Sequence, residues 1–327
     1  MFPEAPRMTL HISEAEVRQV LTMSMALEAV EEMSRKQARD EVLVHPRRRF
    51  ELPDGGFFHY MAAADFTAGF LAMKQYTFVR GKIRFLVPLY EIASGDLVAM
   101  IEADYMGQLR TGAASGMATK YLARRDASAA AIIGTAGQAR TQLEAIAAVR
   151  KLESVRVYGR DAERRKKFAD EMSSRIGVPV EPAGSSSEAA QGAHILCTAT
   201  TAAHPVVSGA DLASGVHINA IGANHAHKRE LDAEAVARAG IVVVDSVDQS
   251  RQEAGDLILA FRGDETRWAS VKTLSDVVAG KVSGRTSDTE VTLFKSNGIA
   301  SWDLAVAMQV YAQAQKKGLG RNLPFWS

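Results

Sequence analysis

Residues 129–160 read AAAIIGTAGQARTQLEAIAAVRKLESVRVYGR, and this stretch decides the fold. An apolar run at 129–133 stops at Gly134, as a strand buried on both faces does. Gly134-Thr135-Ala136-Gly137-Gln138-Ala139 then makes a glycine turn, and an alanine-rich run with helical spacing leads to a second apolar strand at 155–158. Strand, glycine turn, helix and strand in that order form the unit that binds dinucleotides, with a pyrophosphate at the helix N-terminus where unpaired N–H groups and the positive dipole end converge. The match to G-x-G-x-x-G/A is imperfect, because Ala136 carries a methyl where the second glycine allows close approach.

Strand–helix alternation continues from Ser128 to Ser246, with further strands expected at 193–197, 216–221 and 241–245. This predicts an α/β protein built on a Rossmann-type, doubly wound parallel sheet. Upstream the pattern differs. Residues 9–40 read as a strand and helices, with Ser13 and Glu16 at capping-box spacing. Residues 42–103 read as short strands separated by turns such as Pro53-Asp54-Gly55-Gly56, a mixed and mostly antiparallel region. A long helix from Tyr105 to Arg125 is rich in small residues, through which another backbone or a cofactor can come close. After Glu253 the chain reads as helical and loopy. A last amphipathic helix, 300–316, has no strand expected after it and is expected to pack back on the N-terminal region.

At 327 residues the chain has room for two domains, expected at 1–125 with 300–327 and at 126–299. A formal net charge of +1 leaves no electrostatic footprint for nucleic acid. No apolar run approaches a membrane span and the N-terminus lacks a basic-then-apolar signal, so a cytoplasmic location is expected. The single cysteine, Cys197, lies in an apolar run and reads as a buried thiol; one cysteine excludes an internal disulfide. No metal site is expected: His225 and His227 are two apart, which suits no helical metal pair. The G-x-S-x-G, phosphate-loop and H-E-x-x-H signatures of hydrolases, NTPases and zinc peptidases are missing.

Several residues stand out chemically. An acid at the end of the second strand would select NAD, whereas a nearby arginine accepts the 2′-phosphate of NADP. Here Gly159 occupies the acid position and Arg160 follows, which leans to NADP; Asp161 either caps the next helix or reaches the ribose, keeping NAD in play. Lys74 sits inside an apolar strand, either at a sheet edge facing water or as a proton-donating cation in a cleft. Arg110 opens a helix face of small residues, as a surface arginine or a ligand clamp. Strand alternation puts Arg48 on the face opposite Arg47 and Arg49. Gly222, Asn224, His225 and Lys228 follow the fourth strand at its carboxyl end, where open α/β sheets bind ligands.

Together these segments resemble the ornithine cyclodeaminase/mu-crystallin family over nearly the whole chain. The resemblance rests on Met73-Lys74, Leu109-Arg110-Thr111-Gly112-Ala113-Ala114, Ala118-Thr119-Lys120-Tyr121-Leu122, the Gly134 turn with Gln138, Ile218-Asn219-Ala220-Ile221-Gly222-Ala223, Val244-Asp245-Ser246 and Thr292-Leu293-Phe294-Lys295-Ser296, in that order. It implies a substrate and dimerisation domain joined by the last helix, a Rossmann domain between, a homodimer, and an NAD(P)-dependent reaction at the α-carbon of an amino or imino acid. It implies Lys74 and Arg110 as catalytic residues, Arg48, Lys74, Arg110 and Asn224 around the substrate, and Arg110, Thr111, Gly134, Ala136, Gly137, Gln138, Arg160, Thr198, Gly222, Lys228 and Ser296 around the cofactor. Cyclodeaminases of the family carry an aspartate where this chain has Asn224, and a neutral amide accepts no proton. The expected activity is therefore reduction of a small 2-imino acid (a ketimine, a cyclic imine or iminosuccinate) to the L-amino acid by hydride transfer. Ornithine cyclodeamination to proline and ammonia, and a non-catalytic NADPH-binding role of the mu-crystallin kind, are the alternatives.

Overall fold

The computed structural model describes residues 8–325, so the ends of the first expected domain lie outside the described residues. From Met8 the chain forms β1 (Met8–Ile12), α1 (Glu14–Val20), α2 (Met23–Ala38), β2 (Val42–Glu51), β3 (Phe57–Asp65), β4 (Phe70–Val79), β5 (Lys82–Glu91), β6 (Leu97–Glu102) and α3 (Asp104–Leu122). There follow β7 (Ala129–Ile133), α4 (Gly137–Val149), β8 (Ser154–Tyr158), α5 (Ala162–Ile176), β9 (Val180–Pro182), α6 (Ser186–Ala190), β10 (Ile195–Thr198) and β11 (His217–Ala220). The chain continues through α7 (Ala233–Ala237), β12 (Ala239–Val244), α8 (Val247–Glu253), α9 (Gly255–Phe261), α10 (Glu265–Ser270), β13 (Lys272–Thr273), α11 (Leu274–Val278) and β14 (Val291–Lys295), then α12 (Ala300–Lys317) and β15 (Arg321–Pro324). It divides into two compact units, Met1–Arg110 with Ile299–Ser327 and Thr111–Gly298. The first division falls inside α3, fifteen residues before the boundary expected at 125, because helical periodicity runs through it without a break.

The first unit holds a seven-stranded sheet in the order β15-β1-β6-β5-β4-β3-β2. Neighbours from β6 to β2 run antiparallel, as short strands joined by tight turns must. The last helix, α12, packs on α2 and on β3 and β4, with Trp302, Leu304 and Val306 buried. Contrary to expectation, a strand follows that helix: β15 lies antiparallel to β1 at the sheet edge.

The second unit is one parallel sheet of eight strands, β13-β12-β14-β11-β10-β7-β8-β9. The order reverses between β7 and β10, the switch point at which such sheets bind ligands. Alternate residues of β7 feed opposite cores. Ile132 packs with Leu143, Ile146 and Phe168, and Ile133 with Leu196, Ile218 and Leu257. The stretch after Glu253, expected to be helical and loopy, contributes β14 to the middle of the sheet with every residue buried. Its Lys295 hid the strand, since a charge at a fully buried position breaks the apolar pattern. In α3, Gly112 packs so closely on α4 that a Cβ there would run into the Thr141 carbonyl; its small residues admit a backbone.

Candidate active site

Lys74 lies on β4 beside Met61 of β3 and is buried. Its ammonium nitrogen stands 3.0 Å from Asp303 Oδ1, the oxygen that also accepts a 3.0 Å hydrogen bond from Arg110 Nε. Asp303 comes from the first turn of α12, and its side chain is 1% exposed. Gly107 of α3 admits the lysine tip, since a Cβ there would lie 3.2 Å from Lys74 Nζ. Lys74 is therefore not a sheet-edge lysine facing water but a buried, paired cation. Arg110 is likewise buried and no surface arginine.

Burial pushes the Lys74 ammonium down from 10.5 to about 8, and the Arg110 and Arg47 guanidiniums push the same way while Asp303 pulls it back up. A lysine near 8 exchanges its proton close to neutrality, which suits proton transfer. Two polar atoms of the cluster, Arg110 Nη1 and Asp303 Oδ2, are buried and have no hydrogen-bond partner among the described residues. A buried guanidinium N–H without an acceptor is costly, and a bound carboxylate would satisfy it.

The arginine run differs from expectation. Register passes from His45 opposite Ala62 to Arg48 opposite Tyr60, so Pro46 and Arg47 form a bulge. Arg48 then shares the face of Tyr60 and is exposed, whereas Lys74 shares the opposite face with Met61. It is Arg47 that is buried and whose charge acts on Lys74. The structure therefore does not bring Arg48 to the cluster. Asp303 was not expected from the sequence, and the resemblance pointed to Arg48 rather than Arg47. The signal for Asp303 was an acid inside the apolar run Ala300-Ser301-Trp302-Asp303-Leu304-Ala305, and for Arg47 a proline just before it.

In the second unit, Gly134 has φ +123°, and a Cβ there would strike the Ala199 carbonyl. Its N–H donates to the Tyr158 carbonyl at 2.8 Å, tying the turn to β8. Ala136 is the N-cap of α4, exposed and extended at φ −87°, so its methyl needs no special backbone and points at no packed neighbour. No side chain caps α4, and Ala136 and Gly137 are exposed. The first-turn N–H groups thus face outward, as an anion site requires. Gln138 Oε1 is buried without a partner among the described residues. The open helix N-terminus fits a dinucleotide pyrophosphate.

At the end of β8, a Cβ on Gly159 would lie 2.8 Å from Thr135 Cγ2, so a side chain at the position usually held by an acid would have to displace that of Thr135. Asp161 accepts the Arg164 N–H at 2.9 Å as the cap of α5, and Arg160 is exposed. Thr111 and Lys228 are half-buried.

Other expected cofactor residues turn out to be held by buried carboxylates. Glu230 accepts the Thr198 hydroxyl at 2.9 Å and the Gly222 and Thr200 N–H groups at 2.7 Å, and burial raises its carboxyl. Asp256 accepts the N–H groups of Glu230 and Leu231 and pairs with the fully buried Lys295 at 3.0 Å. This network fixes both ends of the loop carrying the half-buried Asn224, His225 and Lys228. The Ser296 hydroxyl donates to Asp245, which also accepts the N–H groups of Ser246, Asn297 and Gly298; burial raises that carboxyl too. Thr198 and Ser296 thus have scaffold partners for their hydroxyls. Cys197 is buried and its thiol is raised well above its ordinary value by burial. Among the described residues no group of three or more His, Cys, Asp or Glu is placed to hold a metal, and no helix is long and apolar enough to cross a membrane.

The chain is 38% identical over 241 residues to the Delta(1)-pyrroline-2-carboxylate reductase of Bacillus cereus, covering 73% of this chain and 74% of that protein. The Thermococcus litoralis Delta(1)-pyrroline-2-carboxylate reductase, solved with NADH and L-proline, superposes with a TM-score of 0.92 at 34% identity over 96% of this chain and 100% of that one. An archaeal alanine dehydrogenase dimer with bound NAD gives 0.91 at 33% identity, over 98% and 100%. The model of the ornithine cyclodeaminase/mu-crystallin family matches residues 7–318, and the chain belongs to that family.

Proposed function

We propose that this protein reduces a small 2-imino acid to the L-amino acid, with a nicotinamide dinucleotide as hydride donor. The chain is an NAD(P)-dependent oxidoreductase acting on a CH–NH or CH–NH2 group; the direction, substrate class and residue roles are the proposal. The observation that carries it is the buried cluster of Lys74, Arg110 and Asp303, with an unsatisfied guanidinium N–H beside a lysine poised near 8.

In this reading Arg110 and Arg47 bind the substrate carboxylate. Arg110 is held by Asp303 so that its free Nη1 faces the ligand. Lys74 delivers a proton to the imine nitrogen, and Asp303 keeps that ammonium charged. The cofactor, when bound, supplies the hydride that the imine carbon accepts. The α4 N-terminus at Gly137 and Gln138 holds its pyrophosphate. Gly159 and Arg160 support NADPH as the better donor, and NADH is the alternative. The first unit serves as substrate and dimerisation domain and the second as nucleotide domain. A homodimer is consistent with apolar side chains exposed on the first sheet, such as Leu43, Phe50 and Leu71.

NADH and NADPH oxidation should be followed with pyruvate plus ammonia, oxaloacetate plus ammonia, and cyclic imino acids, beside an assay for ammonia released from ornithine. Cofactor oxidation with an imino acid is expected. Ammonia from ornithine without net cofactor use would replace the reading by cyclodeamination. Tight NADPH binding with no turnover would replace it by a binding role.

A further inference from the structure

Three loops leave the carboxyl ends of β7, β10 and β11, next to the point where the strand order reverses. The ligand crevice of an open α/β sheet lies outside those ends. The loops are stitched to one another in series. The Ala199 N–H donates to the Ile133 carbonyl at 2.8 Å, and the Ala199 carbonyl lies where a Cβ on Gly134 would strike it. The Ile221 N–H donates to the Thr198 carbonyl at 3.0 Å. The next N–H groups along, those of Thr200 and Gly222, converge on the Glu230 carboxylate, each at 2.7 Å. A Cβ on Gly222 would lie 2.5 Å from Glu230 Oε1, so glycine lets the backbone come this close.

Glu230 is fully buried, and its backbone is held independently of its side chain. Its N–H donates to Asp256, and its carbonyl accepts the Val206 and Val207 N–H groups. Both carboxylate oxygens act only as acceptors, Oε1 from Thr200 and Oε2 from Gly222 and the Thr198 hydroxyl. An ionised carboxylate meets that set, whereas an amide would aim its NH2 at one of the donors. A buried charge is weak evidence for stability. What these three bonds secure is the spacing of the loops.

We propose that Glu230 is a positioning residue for hydride transfer: by tying the Thr200 and Gly222 loops together it holds the rim on which the nicotinamide end of the dinucleotide is aligned. This rests on the imino-acid reductase reading and adds to it a residue that acts only through the loops it holds. A displacement of about 1 Å at a reacting centre can cost on the order of 100-fold in rate.

Glu230→Gln keeps the size of the side chain and breaks one attachment. Without cofactor, amide hydrogen exchange read by mass spectrometry should quicken about tenfold in segments 199–202 and 221–229, and stay unchanged in β7 and β11. With NADH or NADPH bound, a single turnover is followed by stopped flow. The substrate is whichever of pyruvate plus ammonia, oxaloacetate plus ammonia or the cyclic imino acids the wild type reduces fastest. Its rate constant should fall about tenfold or more at unchanged amplitude, and slow further with cofactor deuterated at the transferred hydrogen. A purely structural role would instead lower the amplitude, the competent fraction, and leave the rate constant alone. A rate constant within about twofold of the wild type, or exchange that quickens equally through the whole sheet, overturns the inference. Should Glu230→Gln fail to fold, Thr198→Val removes one donor and leaves the carboxylate. A fall of about threefold is then expected, and the same two outcomes overturn the inference. A wild type that oxidises neither cofactor with any imino acid overturns the parent reading instead, so the two failures are distinguishable.

Discussion

Lys74 Nζ and Asp303 Oδ1 stand 3.0 Å apart, and the carboxylate that holds the lysine is itself 1% exposed. An ion pair taken out of water loses most of its hydration, and its mutual attraction offsets that loss only with good geometry and further hydrogen bonds. Asp303 meets part of the requirement by accepting from Arg110 through the same oxygen, while its Oδ2 is left without a partner. Such a pair is weak evidence for stability. Burial and the Arg110 charge leave the lysine's proton loosely held, against the pull of Asp303.

That loosely held proton fixes a pH profile. Lys74 is protonated below about 8 and neutral above it. If its ammonium donates the proton, kcat/KM for imine reduction should fall as pH rises through that value. Asp303 raises the lysine, so Asp303→Asn should move the falling limb to lower pH. Lys74→Met should reduce turnover on the order of 100-fold, the lower end for loss of a general acid. A profile that keeps its alkaline limb in Lys74→Met would show that the limb belongs to another group.

The bulge at Pro46 and Arg47 makes the two neighbouring arginines unequal. Arg47→Ala should raise KM for the imino acid by about tenfold or more, since a charge-assisted contact is worth roughly 1.5–3 kcal/mol. Arg48→Ala, at an exposed position on the opposite face, should stay within about 0.5 kcal/mol in stability and change KM little. Steady-state kinetics of the two variants decides between them. A larger loss in Arg48→Ala would restore the role that family resemblance suggested.

What was legible in the sequence follows from which signals are local. The turn at Gly134 is one, because a buried strand, a φ of +123° and an open helix N-terminus all fall within a few residues. Which of the three arginines shares the face of Lys74 is not, because that depends on the pairing of separate strands and on a one-residue bulge between them. Lys295 and Asp303 escaped for a related reason. Each is a charge inside an apolar run, and only the fold supplies the partners, Asp256 and Lys74, that let it be buried. β14 was lost with Lys295, and β15 because four residues with a proline carry no alternation to read.

Cofactor choice should respond to Arg160. With glycine rather than an acid at position 159, the adjacent guanidinium is the group available for a 2′-phosphate. Arg160→Ser should lower the ratio of kcat/KM for NADPH over NADH by about tenfold, the equivalent of a charge-assisted hydrogen bond. A ratio unmoved by the substitution would mean that another residue reads the ribose.

Lys295 offers a test of the scaffold under the Asn224 loop. Its ammonium pairs with Asp256 at 3.0 Å, both side chains are 0% exposed, and Asp256 in turn holds the N–H groups of Glu230 and Leu231. Removing one partner of a buried pair leaves the other charge without compensation, at a cost of about 3–5 kcal/mol. Lys295→Met, close in length and without charge, should therefore lose stability on that scale in urea unfolding at neutral pH. Lys295→Met with Asp256→Asn should recover part of it, because the stranded carboxylate is then gone while the amide still accepts from the backbone. Additive losses in the double variant would mean that the two residues stabilise the fold separately.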